Sequence, residues 1–170
     1  TTKSAFARSP AEGKGTIYAL DAATGKPVWQ RHLSSAPFGC ATVARDGSLD
    51  WITLGFGSAN GKVFQETQLA GPGAHGTVTG AYASRGRQHL DFDTLQEHAA
   101  PDTTSDLAFR GILAERSSAV WRGMIKVDPG AQRTDAFQES RNLLLSKRAH
   151  ADAIPGLEIL ANDVRCTHAA

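Results

Sequence analysis

The chain is poor in the features that most quickly reveal a class. It has 2 cysteines in 170 residues, Cys40 and Cys166, far apart in the sequence. Neither a disulfide framework nor a paired-cysteine zinc motif can be written from them, and both thiols are expected to stay reduced. There is no excess of either charge: 18 Lys+Arg stand against 17 Asp+Glu, and charged residues make up 21 % of the chain. That balance excludes a highly charged disordered tail and a strongly basic nucleic-acid arm. The cations are scattered along the sequence rather than striped, so no nucleic-acid binding is expected. No apolar run approaches the roughly 18 residues of a membrane span. The opening TTKSAFARSPAEGKG lacks the apolar core of a signal peptide, which makes the cytoplasm the expected compartment. No G-x-x-x-x-G-K-[ST] loop and no G-x-S-x-G elbow occur, which removes P-loop nucleotide hydrolysis and an α/β-hydrolase nucleophile.

What the chain does have is punctuation. Its 17 glycines and 7 prolines cut it into pieces too short for typical helices, as at DGS (46–48), GSANGK (57–62), GPG (71–73) and DPG (128–130). Between them lie β-rich or alternating runs: Thr16–Ala22, Leu49–Phe56, Lys62–Leu69, Gly76–Ala83, His89–Thr94, Leu107–Leu113, Ala119–Val127, Ala136–Leu145 and Leu157–Ala161. In Ala119–Val127, Trp121, Gly123, Ile125 and Val127 share one apolar or small face, with Asp-Pro-Gly ending the strand. A helix competes over Phe137–Ala151, although the three leucines there fit a strand buried on both sides equally well. Strand-sized pieces recurring every 15 to 22 residues suit the coils of a parallel β-helix, with a β-sandwich explaining the same strands almost as well. GPGAHG has the glycines of a phosphate-cradling loop but no helix pattern after it, and reads as a corner.

Three groups of residues invite chemistry. Cys166 and His168 stand two apart on a predicted strand, on one face with Val164, and thiolate and imidazole are ligands that iron–sulfur chemistry uses. Two ligands do not make a site, and a buried thiol beside a core or interface histidine is the plainer account. His89, Asp91, Asp93, Glu97 and His98 lie within HLDFDTLQEH and could form a metal cluster or the acid and base of a polysaccharide hydrolase. Their plainer account is a polar outer face with corner residues. Cys40 is expected to be a buried or incidental thiol.

Four consecutive pieces carry a resemblance: LAGPGAHGTVTGAY (69–82), GRQHLDFDTLQEHAAPDTTSDLAFRGIL (86–113), VWRGMIKVDPGAQRTDAFQESRNLLLS (120–146) and ADAIPGLEILANDVRCTHAA (151–170). In this order they resemble the core of the SufB/SufD family of cytosolic iron–sulfur cluster assembly scaffolds, SufD more than SufB, from about Asp46 onward. The resemblance implies an all-β chain, a right-handed parallel β-helix, and lifts that reading over the sandwich. It implies a non-catalytic scaffold pairing with a SufB-like subunit, with Arg141–Ser146 and Arg165–His168 nearest the interface. The cluster would be transient there rather than held stably by this chain alone. The family's C-S-H-G-A string corresponds to Cys166-Thr167-His168-Ala169-Ala170, which makes His168 the implied metal-contacting residue and Cys166 a weaker partner, with Ala169 replacing the family's glycine.

Residues 13–33, GKGTIYALDAATGKPVWQRHL, resemble instead one blade of a quinoprotein-type propeller, and read physically as a β-hairpin around Ala23–Lys26. One blade cannot close a propeller, so no quinone site follows. The expected division is an N-terminal extension over 1–38, carrying this hairpin, and a SufD-like core over 39–170. The family's helical N-terminal region and its helical C-terminal region, which docks the ATPase SufC, have no counterpart in these residues. SufC docking is therefore left without its usual platform. The uncapped last coil is an edge for pairing with another chain or a second copy. Two rivals stand beside the scaffold: a hydrolase using carboxylates at 91–97, and a truncated, rejoined chain without autonomous function.

Overall fold

In the computed structural model of the chain, the described residues are 2–8, 15–21, 27–33, 39–43 and 47–170, with side chains described from 47 onward. Among them the chain runs through strands only. They are β1 (Thr2–Arg8), β2 (Gly15–Asp21), β3 (Pro27–Leu33), β4 (Gly39–Val43), β5 (Ser48–Phe56), β6 (Asn60–Leu69) and β7 (His75–Ser84). Then come β8 (His89–His98), β9 (Thr104–Leu113), β10 (Ser118–Val127), β11 (Thr134–Leu144), β12 (His150–Ile159) and β13 (Val164–Ala169).

From β4 onward successive strands alternate between two sheets. One sheet has the order β13-β11-β9-β7-β5-β1-β2-β3 and the other β12-β10-β8-β6-β4. All pairings among β4–β13 are parallel, and side-chain bonds between successive turns link residues 29 or 31 apart. The architecture is a parallel β-helix of about four turns, each turn contributing one strand to each sheet. β1, β2 and β3 pair antiparallel, and β1 joins the solenoid through Thr2↔Leu49 and Lys3↔Asp50. The expected hairpin is the β2–β3 pair, whose turn at 22–26 lies outside the described residues.

The inner faces follow the strict alternation of a pleated strand. In β10, Ala119, Trp121, Gly123, Ile125 and Val127 are buried, the face expected from the sequence. The bore between the sheets is filled by aromatic rings drawn from both. Tyr82 packs at a tilt on Phe92 with centroids 4.9 Å apart, Phe92 meets Phe109 edge-on at 5.4 Å, and Phe109 packs at a tilt on Trp121 at 6.1 Å. Such pairs contribute roughly 0.5–1.5 kcal/mol each beyond their area burial. Rings this large fit only where the facing position has no side chain. A Cβ on Gly80 would meet the Phe109 ring at 2.5 Å, and one on Gly55 would meet Phe92 at 2.8 Å. Gly111 lies against Tyr82 and Asn142, and Gly123 against Trp121 and Gln138. Burial pushes the Tyr82 hydroxyl up to about 12, and that hydroxyl donates to Asn142 Oδ1.

A polar layer lies inside the same bore. Gln138 donates through Nε2 to the Gly123 carbonyl at 3.2 Å and the Gly156 carbonyl at 3.0 Å, tying β11 to β10 and β12. His98 is fully buried, with Nδ1 2.8 Å from Thr103 Oγ1 and Nε2 2.9 Å from Ser105 Oγ. Thr103 donates its own proton to the Ala100 carbonyl, so it accepts from His98 Nδ1, and Ser105 donates to Nε2. This network holds a neutral imidazole, and burial depresses its pKa to about 4.

The segment with a rival helical reading is strand β11, but its leucines are not buried on both sides. Leu143, Leu144 and Leu145 are all exposed. The reason is local: β13 pairs with β11 only over Thr134–Glu139, so the far end of β11 has no strand on that flank. The run expected at Leu157–Ala161 is instead strand His150–Ile159. Pro155 and Gly156 argue against a strand interior, yet β12 ends its sheet, where an absent N–H is tolerated.

Two predictions follow from the bore. Gly80→Ala should destabilise the chain by about 1–3 kcal/mol in urea unfolding through overpacking against Phe109, whereas Gly130→Ala, with nothing within 4 Å of its Cβ, should be near neutral. Because the folded pKa of His98 lies below the unfolded value of 6.5, the unfolded chain binds the proton first as pH falls. The His98 contribution is fully present above about pH 6.5 and is lost between there and pH 4, up to on the order of 3 kcal/mol. Unfolding curves at pH 7 and pH 5 should show that loss in the native chain and a flatter profile in His98→Gln.

Candidate functional site

Cys166 and His168 lie on β13, in register with Ala136 and Gln138 of β11. Those partners belong to inward-facing rows, Leu49–Gly76–Ser105–Ala136 and Trp51–Val78–Leu107–Gln138. The pair therefore occupies core-type positions at the end of the sheet, where β13 has β11 on one side only. Cys166 is partly buried and packs with Ala161 and Val164 against Ile125, Val127, Ala131 and Ala136. His168 is exposed. The shared face with Val164 expected from the sequence is that of the strand alternation, and burial differs along it, Cys166 being partly buried and His168 exposed.

Burial raises the Cys166 pKa, and the negative charge of Asp135 adds to the rise. The thiol is thus held protonated at neutral pH, whereas a metal ligand must be a thiolate. Among the described residues no group of three or more His, Cys, Asp or Glu side chains is arranged to hold a metal ion. What β13 offers is an exposed imidazole and a shielded thiol beside an unpaired strand edge. That arrangement can contribute ligands to a centre but cannot complete one.

The HLDFDTLQEH cluster is divided between two faces of β8. His89, Asp91, Asp93 and Glu97 take the outer parity, while His98 points inward, a correction to its expected place on the outer face or a corner. Its residue spacing explains this: His98 is odd-numbered steps from the other four polar residues of the strand face. Lys62 Nζ sits 3.0 Å from Asp91 and 2.6 Å from Asp93, and Arg122 reaches Asp91 at 2.6 Å and Asp93 at 2.5 Å. Glu97 is held by Lys126 at 2.6 Å and by Gln68 at 2.7 Å. Burial pushes the Asp93 pKa up, but the hydrogen bonds from Arg122 and Lys62 outweigh it and leave the carboxyl below its usual range. Lys126 and then Gln68 lower Glu97 likewise. A glycoside-cleaving acid must instead be held protonated near neutral pH. These carboxylates are rungs of a ladder between turns, and the hydrolase reading loses its acid.

GPGAHG is a corner, with Gly73 in the left-handed region at φ 75° and Ala74 buried beneath it. Cys40 lies on β4 opposite Glu66, and its side chain falls outside the described residues. The scatter of cations along the sequence is undone by the fold. Arg85, Arg87, Arg116, Lys147 and Arg148 fall on three successive turns of one corner. The signal that could have found them is the 29-to-31-residue turn, which places 87, 116 and 147 above one another.

Comparison with known proteins agrees with this architecture. Residues 29–170 match the family model described as SUF system FeS cluster assembly, SufBD core domain. The chain is 33 % identical over 131 residues to an iron-sulfur cluster assembly SufBD family protein of Mycobacterium leprae, covering 73 % of this chain and 33 % of that protein. It is 32 % identical over 131 residues to the iron-sulfur cluster assembly protein SufD of Bacillus subtilis, covering 76 % of this chain and 30 % of that one. With the SufD of Escherichia coli it shares 38 % identity over 80 residues, 47 % of this chain and 19 % of the other. The chain thus spans about a third of the length of the first two relatives. A solenoid whose sequence matches the core-domain model through every turn from β4 to β13 places the chain in the SufB/SufD family of iron–sulfur cluster assembly proteins.

Proposed function

We propose that the chain is a SufD-like, non-catalytic scaffold subunit that pairs with a SufB-like subunit and helps to build an iron–sulfur cluster at their interface. The observation that carries this reading is the core-domain match over 29–170 together with the position of Cys166 and His168 on the open edge of β13. An unpaired parallel strand presents a row of N–H and C=O groups to another chain. Arg165–His168 lie on that edge, and Arg141–Ser146 form the uncovered end of the neighbouring strand. His168 would supply the accessible ligand, with Cys166 secondary because its thiol must first lose a proton. The cluster is cargo, held transiently and completed by groups from the partner. The core is taken as 39–170, with 1–38 as an extension, and the place of action as the cytoplasm. No helix among the described residues is long and apolar enough to cross a membrane.

Anaerobic co-expression with a SufB and a SufC, followed by light scattering of the purified complex, tests the pairing. The expected mass contains this chain and SufB, and a chain that elutes alone or aggregated overturns the scaffold reading. In the complex, His168→Ala should lower the cluster absorbance several-fold while leaving the mass unchanged, and Cys166→Ala should have a smaller effect. Unchanged cluster content in His168→Ala removes the site assignment even if the complex forms.

A further inference from the structure

Ion pairing divides the cations of residues 47–170 sharply. Lys62, Arg110, Arg122, Lys126, Arg133, Arg141 and Arg165 each hold a carboxylate. Arg85, Arg87, Arg116, Lys147 and Arg148 hold none among the described residues, and all of them sit on one corner of the solenoid. Four of these line a concavity of about 740 Å³ with Gly86, Glu115 and Ser146. The one acid there, Glu115, forms no ion pair among the described residues.

The corner is built rather than loose. Arg116 N–H donates to the Gly86 carbonyl at 3.0 Å, Glu115 N–H to Ser146 Oγ at 2.7 Å, and Ala149 N–H to the Ser146 carbonyl at 3.1 Å. Gly86 and Glu115 hold left-handed backbone at φ 65° and 60°. Three stacked turns, whose strands lie roughly 4.8 Å apart, therefore bring these cations to one corner with a single carboxylate among them.

From this geometry we propose that the corner is a docking surface for an acidic amphipathic helix of a partner protein. Carboxylates at i and i+4 on a helix lie about 5–6 Å apart, close to the spacing of the turns, whereas same-face residues of an extended strand lie about 6.8 Å apart. The surface next to the cations is apolar: Leu143, Leu144 and Leu145 run directly into Ser146, and Ile112 stands beside Leu143. A polyphosphate would make no use of those leucines. The concavity is lined by no aromatic ring on which a base could stack, which disfavours nucleic acid. The surface shares Leu143–Ser146 with the stretch placed nearest the SufB-like subunit, while its cations lie outside that stretch.

The test titrates the full chain with a labelled synthetic helix carrying glutamates at i, i+4 beside leucines, at low and moderate salt, read by fluorescence anisotropy. A scrambled peptide of the same composition, a single-stranded oligonucleotide and tripolyphosphate are run in parallel. The helical peptide should bind more tightly than all three, with an affinity that falls as salt rises. The double variant Arg116→Ser/Lys147→Ser should weaken it about tenfold, and Lys62→Ser/Arg133→Ser, which removes the same charge from paired positions, should leave it nearly unchanged. Thermal melts of both variants confirm that they fold. Equal weakening in the two variants, equal affinity for the scrambled peptide, no binding, or tighter binding of the oligonucleotide or tripolyphosphate each overturns the proposal.

Discussion

The structure depends on a spatial exclusion: the gap between the two sheets is narrow enough that a ring from one turn occupies the place of a side chain on the next. Tyr82, Phe92, Phe109 and Trp121 form one continuous column, and Gly55, Gly80, Gly111 and Gly123 are the positions across from it. Because Phe109 and Tyr82 each sit against a glycine of the paired strand, Gly80 and Gly111, sliding β7 or β9 by two residues would set a ring against a side chain. Register is thereby fixed by packing rather than by hydrogen bonds, which a parallel ladder would make equally well after a slip. The same exclusion explains how a core with few large side chains needs no disulfide or metal: the rings serve two sheets at once.

The outer faces follow from that register. Once turns of 29 to 31 residues are locked, a cation on one strand lies beside a carboxylate on the next, as Lys62, Asp91, Asp93 and Arg122 do across three strands. Such exposed pairs add little stability individually. Together they lace three successive strands of one outer face. The same reasoning gives the unpaired corner its meaning. Over residues 47–170 every other lysine and arginine holds a carboxylate, so five cations left without one are an exception to the repeat's own rule.

Much of this was legible in the residues because strand alternation is a short-range property. The buried face of β10 and the existence of β5 to β10 can be read from period-two patterns and turn residues alone, whereas β11 had a helical rival, and the family resemblance supplied the way they stack. What was not legible depended on which strand lies next to which. The leucines at 143–145 look like core until the limited reach of β13 along β11 is known. His98 belongs to a polar run by sequence and to the bore by parity, and only the hydroxyls of Thr103, from the corner before β9, and Ser105, from β9 itself, explain why a histidine is tolerated there. At the candidate site the types and spacing of Cys166 and His168 were visible, but their difference in exposure was not, since it reflects the end of the sheet.

That difference bears on how a solenoid can carry a site at all. In its middle turns, inward positions are sealed by the turns on either side, and a cysteine or histidine there could only be structural, as His98 is. At a terminal strand the same inward positions keep core-like neighbours on one flank and lose them on the other. Cys166 retains Ile125, Val127 and Ala136, while His168 is open to solvent. Burial and the neighbouring Asp135 raise the Cys166 pKa, which favours the thiol over the thiolate. The two side chains of one strand face therefore differ in chemistry as well as in exposure, with only the imidazole open to solvent.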